Sequence, residues 1–80
     1  MNDDNVQPVI VTIDDRHIPV IQSVAAALEA AGMRVSNVLS TVGIISGSIP
    51  LADIDTLKAI PGVVDVELDQ EMHAIGANEE

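Results

Sequence analysis

The chain contains no cysteine, phenylalanine, tyrosine or tryptophan. Without cysteine it has no disulfide framework, no thiol nucleophile and no cysteine-based zinc site. Without aromatic rings it cannot stack on nucleobases or enclose a cation in an aromatic cage. Aliphatic side chains must therefore form the whole hydrophobic core.

Basic residues are also scarce. Three Lys and Arg stand against 13 Asp and Glu, which gives a net charge of −10. A field of this sign repels phosphate backbones and anionic lipid headgroups, so we expect neither a nucleic acid nor a membrane as partner. The apolar fraction of 48% is too high for a disordered acidic tail. These values predict a globular domain without a membrane span.

A chain of 80 residues can form one domain at most. We place that domain at 8–75 and expect flexible acidic ends at 1–7 and 76–80. The first eight residues are polar and acidic, whereas a signal peptide begins with basic residues and an apolar run. This start predicts a cytoplasmic location, with a leader removed from a longer precursor as the open alternative.

Runs of β-branched residues predict four strands. They lie at 8–14, 33–39, 44–49 and 63–68. Apolar residues at helical spacing predict two helices, at 18–31 and about 51–59. Pro19 suits the first position of helix one, and Gly32 and Pro61-Gly62 suit the ends of the two helices.

The order strand, helix, strand, strand, helix, strand predicts an α+β fold of the ferredoxin-like α/β plait type. In this fold two helices cover one face of a four-stranded antiparallel sheet and leave the other face open. The buried residues should include Val11, Ile13, Val24, Leu28, Ile54, Leu57, Val64 and Val66. The open face should carry Ile10, Thr12, Ile44, Ser46, Ser48, Asp65 and Glu67. Such a face is either solvated or a docking surface.

Catalytic chemistry finds little support in the sequence. A Schiff-base enzyme of the ketohydroxyglutarate aldolase type needs a lysine in a cavity, and Lys58, the only lysine, is expected on helix two beside Asp55. His17 and His73 lie far apart in the sequence, and neither has a second ligand at helical spacing. Gly47, inside a strand, indicates a bulge or a close backbone approach. We therefore expect no enzyme, no cofactor and no metal site.

The C-terminal part is the most specific stretch of the sequence. It contains the Pro61-Gly62 turn, then Val66-Glu67-Leu68-Asp69 at a strand end, then His73-Ala74. This part resembles the subtilisin propeptide (inhibitor I9) family, which includes stand-alone protease inhibitors. The resemblance extends over about residues 8 to 75, but only the last fifteen or so carry specific motifs.

The resemblance implies that the chain binds a subtilisin-like serine protease. In such proteins the open sheet face packs on two surface helices of the protease, and carboxylates at the strand end cap those helices. Glu67 and Asp69 hold these positions here. The tail would enter the protease cleft as a strand. Its binding residues would be Met72 in an apolar subsite, His73 and Ala74 along the cleft, and Ile75 in the primary specificity pocket.

Two departures from the family pattern favour a free-standing member over an excised propeptide. Ile75 is β-branched, which such pockets accept poorly, and residues 76–80 continue past the usual end of a matured propeptide. The main alternative is a small module that binds another partner or forms a homodimer through its open sheet face.

Overall fold

The computed structural model of the chain describes residues 6–69. Within this range the structure contains four strands and two α-helices, each helix preceded by a 3-10 helix. The elements are β1 (Val6–Ile13), α1 (Ile21–Ala30), β2 (Arg34–Leu39), β3 (Ile44–Pro50), α2 (Ile54–Lys58) and β4 (Val63–Leu68). The predicted order of elements is confirmed, and β1 begins two residues earlier than the β-branched run, because Val6 pairs with Pro50 of β3.

The strands form one antiparallel sheet in the order β2-β3-β1-β4. Strands of the two halves, β1-α1-β2 and β3-α2-β4, therefore alternate across the sheet, and β2 and β4 are its edges. The buried residues of both helices join the same cluster as the inward residues of the sheet, so both helices cover one face. This is the predicted α+β arrangement, compatible with a ferredoxin-like plait.

The segment before α1 differs from the prediction. We expected one helix from residue 18 with Pro19 at its first position, but Asp15–Val20 forms a 3-10 helix and α1 begins at Ile21. Proline disfavours the α conformation of the residue before it, which delays the α-helix until after Pro19. Asp14 begins the 3-10 segment, and its Oδ1 accepts a hydrogen bond of 3.1 Å from the Arg16 backbone N–H.

Helix α2 is short, with one turn of 3-10 helix at Leu51–Asp53 before it. The chain then reverses at Gly62, whose φ of 96° favours glycine, and enters β4. The Gly62 carbonyl accepts a 2.8 Å hydrogen bond from the Asp14 N–H, which joins this turn to the end of β1. None of the helices in residues 6–69 has the length and apolar character needed to cross a membrane.

The core is entirely aliphatic. Its members are Val9, Val11, Ile13, Ile21, Val24, Ala25, Leu28, Met33, Ile45, Ile49, Leu57 and Val66. Six of the eight predicted core residues are among them, and Ile54 packs against the cluster half-buried. Leu28 of α1 and Leu57 of α2 are fully buried, which anchors both helices to the sheet.

The prediction for Val64 is wrong, because 64% of this residue is exposed. Strand β4 shifts register against β1: Asp65 pairs with Thr12, but Val63 pairs with the next residue, Ile13. Val64 is thus an extra residue without a partner, and it turns outward while Val63 packs on the core.

Candidate functional site

The sheet face away from the helices is the candidate site, and we call it the open face. The predicted members on β1, β3 and β4 are confirmed by the strand registers. None of them belongs to the buried core. Because successive side chains of a strand point to opposite faces of the sheet, these residues form a regular array of side chains on one face.

The open face has three rows, each crossing the sheet from β2 to β4. They are Leu39, Ile44, Thr12 and Asp65 in the first row, Asn37, Ser46, Ile10 and Glu67 in the second, and Arg34, Ser48 and Pro8 in the third. The third row ends beside Asp69, whose backbone N–H donates to the Pro8 carbonyl at 2.9 Å. In every row the two central strands place one bulky residue beside one small residue.

The sequence pattern did not predict that residues of β2 belong to this face. Arg34 and Asn37 both project from the open face although they are three residues apart, because β2 shifts register between Val35 and Asn37. The signal for the shift is Gly47, opposite Val35. A methyl group there would collide with the Arg34 carbonyl oxygen and lie 2.9 Å from Cε of Met33. The predicted close backbone approach at Gly47 is confirmed.

The β4 edge of the open face is acidic. Asp65 and Glu67 are both exposed and, two residues apart, project from the same side of the strand. Asp65, as a hydrogen-bond partner and as a like charge, raises the pKa of Glu67 above its ordinary value, and slight desolvation adds to the shift. Two carboxylates held this close would gain from a cation or a set of N–H donors placed against them.

Asp69 extends this acidic edge. Its backbone bond to Pro8 continues the pairing of β4 with β1 by one residue, and its side chain is half-buried. The structure thus brings Glu67 and Asp69 to the C-terminal end of one edge strand. The predicted tail residues Met72, His73, Ala74 and Ile75 lie outside the described residues, as do the segments 1–5 and 76–80.

Lys58 and His17 lie away from the open face. The Lys58 Nζ is 3.9 Å from Asp55 Oδ1 on the surface of α2, and more than half of the lysine side chain is exposed. The His17 Nδ1 lies 3.6 Å from Asp14 Oδ2, and its ring packs against the Gly62 turn. Across residues 6–69, no three His, Asp or Glu side chains come together in a way that could hold a metal ion.

Comparisons of the chain with protein-family models, with curated proteins and with solved structures found no match. The resemblance to subtilisin propeptides stays a prediction from the motifs named above.

Proposed function

We propose that this protein is a propeptide-like inhibitor, or a foldase-type domain, that binds a subtilisin-like serine protease through its open face and C-terminal tail. The observation that carries the proposal is the position of Glu67 and Asp69. Both carboxylates lie at the end of edge strand β4, beside an uncovered sheet face and immediately before the tail.

The open face suits contact with helices on a partner. Its central strands carry small and β-branched side chains, which give a shallow surface without long flexible groups. The carboxylates at its edge match the free N–H groups and the positive dipole end at a helix N-terminus. N–H donors on the partner would stabilise the ionised form of Glu67 and so offset the effect of Asp65, which raises the pKa of Glu67 in the free chain.

The tail would supply the inhibitory segment. An extended segment can add a strand to the substrate cleft of a protease, held by backbone hydrogen bonds and by side chains that enter pockets of the cleft. Met72 and Ile75 are the side chains that enter those pockets, and His73 and Ala74 lie between them. No group on the inhibitor needs to be catalytic, so Lys58 has no part in the function.

Inhibition constants against a broad-specificity subtilisin test this proposal. Deletion of residues 70–80 should weaken inhibition more than the double amide variant Glu67→Gln with Asp69→Asn. Each carboxylate contributes about 0.3 to 2 kcal/mol at a helix end, whereas the deletion removes the whole cleft-filling strand. Ile75→Leu or Ile75→Tyr should tighten the complex, because both suit an apolar pocket better than a β-branched residue.

Lys58→Met is the matched control, since it alters a charged residue on α2 away from the open face. Its inhibition constant should equal that of the native chain. If the native chain does not inhibit at micromolar concentration, or if deletion of the tail leaves inhibition unchanged, the proposed function is wrong. Trapping of a keto acid on Lys58 by borohydride would instead establish the Schiff-base enzyme.

A further inference from the structure

We infer that the open face is also self-complementary and that two copies of the chain pair face to face about a two-fold axis parallel to the strands. This inference rests on the regular array of side chains and is independent of the protease proposal. An axis in this direction places β3 of one copy over β1 of the other and β2 over β4.

The shapes of the central residues match under this operation. In the second row Ile10 lies over Ser46 of the second copy, and in the first row Ile44 lies over Thr12. In the third row Pro8 lies over Ser48. Each bulky side chain thus faces a small one, in all three rows and in both directions, as interdigitated sheet packing requires.

The charges of the edge residues match as well. The same axis brings Arg34 on β2 over Asp69, which follows β4 and is joined to Pro8 by its backbone N–H, and brings the Asn37 amide over Glu67. Arg34 is exposed and has no ion pair within residues 6–69. The one unfavourable pairing on this axis sets the apolar Leu39 of one copy over the Asp65 carboxylate of the other. Two Arg34 contacts per dimer would therefore set the register of the pair.

The other face-to-face axis, perpendicular to the strands, gives a poor match. It would place Glu67 over Glu67 of the second copy and Asp65 over Asp69, so that the acidic edges repel each other. It would also set Arg34 against Leu39. The distribution of side chains therefore selects the axis parallel to the strands.

The size of the face and the net charge indicate a weak dimer. Three rows across four strands span about 350 Å² in projection, given a strand spacing of about 4.8 Å and a rise of about 3.4 Å per residue. Stable complexes bury about 800 Å² per partner. The charge of −10 opposes association, but at about 0.15 M salt it is screened beyond about 8 Å. At this salt concentration, contacts between the two open faces therefore determine whether the copies associate.

Sedimentation equilibrium of the full chain, from about 10 µM to about 1 mM at about 0.15 M salt, tests the inference. The average mass of the native chain should rise from one chain toward two. Arg34→Glu alone and Asp69→Arg alone should each weaken association at least about tenfold, because each places like charges together twice per dimer. An equimolar mixture of these two variants should recover association, since every contact again joins opposite charges.

Arg16→Glu and Glu29→Arg make the same changes of charge at exposed positions on the helical side and should leave the dimer intact. Circular dichroism of each variant checks that it is folded. A native chain that stays monomeric at about 1 mM would overturn the inference, as would a dimer that neither reversal weakens or that the mixture does not restore. Protease inhibition does not enter any of these results, so the two proposals stand or fall separately.

Discussion

Glu67 is a single residue whose ionisation the fold alters. Asp65 raises the pKa of Glu67, so the folded chain holds this proton to a higher pH than the unfolded chain does. The associated stability is present at low pH and is lost as the pH rises through the raised pKa. The Glu67→Gln variant has no carboxyl group at this position, so its stability does not fall with pH for this reason. Its melting temperature minus that of the native chain should therefore become more positive from about pH 4 to about pH 7.

Glu29→Gln controls for the change in net charge, because it removes an exposed carboxylate from α1, on the opposite layer of the fold. Thermal melts of the three proteins at each pH measure the effect. A Glu29→Gln curve that follows the Glu67→Gln curve would show that overall charge, and not the contact with Asp65, causes the change.

Leu28 and Val64 test the packing residue by residue. Leu28 is fully buried between α1 and the sheet, so Leu28→Ala should lower the free energy of unfolding by about 2 to 5 kcal/mol. Val64→Ala should change it by less than about 0.5 kcal/mol, because Val64 is exposed at a bulge. Urea denaturation measures both, and a larger loss for Val64→Ala would place β4 in an unbulged register.

At the scale of elements, the pairing of β2 with β3 depends on the missing side chain of Gly47. Gly47→Ala forces a methyl group toward the Arg34 carbonyl and the end of Met33, and this overpacking should cost about 1 to 3 kcal/mol. Ser46→Ala, one residue away on the open face, should cost less than about 0.5 kcal/mol. Equal effects on the urea midpoint would show that β2 can move away from β3 at no cost.

The spacing of apolar residues predicted a helix or strand correctly where that spacing matches the side of the element that packs on the core. The alternation around Val66 and the helical spacing through Leu28 each give a buried side, and both elements are confirmed. Simple alternation of side chains fails at the two register shifts, near Val64 and between Val35 and Asn37. A bulge depends on how two strands meet, and a single strand's sequence does not contain that information.

The same reason limits how much of the candidate site the sequence could predict. Strict alternation in β1, β3 and β4 was enough to place seven residues on the open face, including Asp65 and Glu67. Arg34 was missed because the shift in β2 changes which side chains share a face. The tail residues carry the most specific resemblance, but they lie outside residues 6–69, so their predicted role stays a prediction.

At the scale of the whole molecule, the net charge of −10 destabilises the folded state through self-repulsion. Residues 6–69 contain one surface ion pair, Lys58 with Asp55 at 3.9 Å, and a contact of 3.6 Å between His17 and Asp14, and such surface pairs contribute little. Added salt therefore screens more repulsion than attraction. We expect the melting temperature to rise as potassium chloride increases from about 0.02 to about 0.5 M.

A variant with Asp53→Asn and Asp55→Asn should respond less to salt, because it begins with two fewer negative charges, one in the 3-10 helix before α2 and one on α2. Differential scanning calorimetry at matched pH measures both proteins. A melting temperature that falls with salt would mean that the surface pairs outweigh the repulsion.

The two register shifts both fall on the outermost strands, β2 and β4, and they bear on how the protein behaves in concentrated solution over time. A straight outer strand rich in valine and isoleucine is a template for fibre growth, in which chain after chain adds by backbone hydrogen bonding. Here an unpaired residue kinks each outer strand, and Asp65 and Glu67 add charge to one of them. The chain can thus use a β-branched core without offering a flat template, and it should stay free of amyloid during long storage.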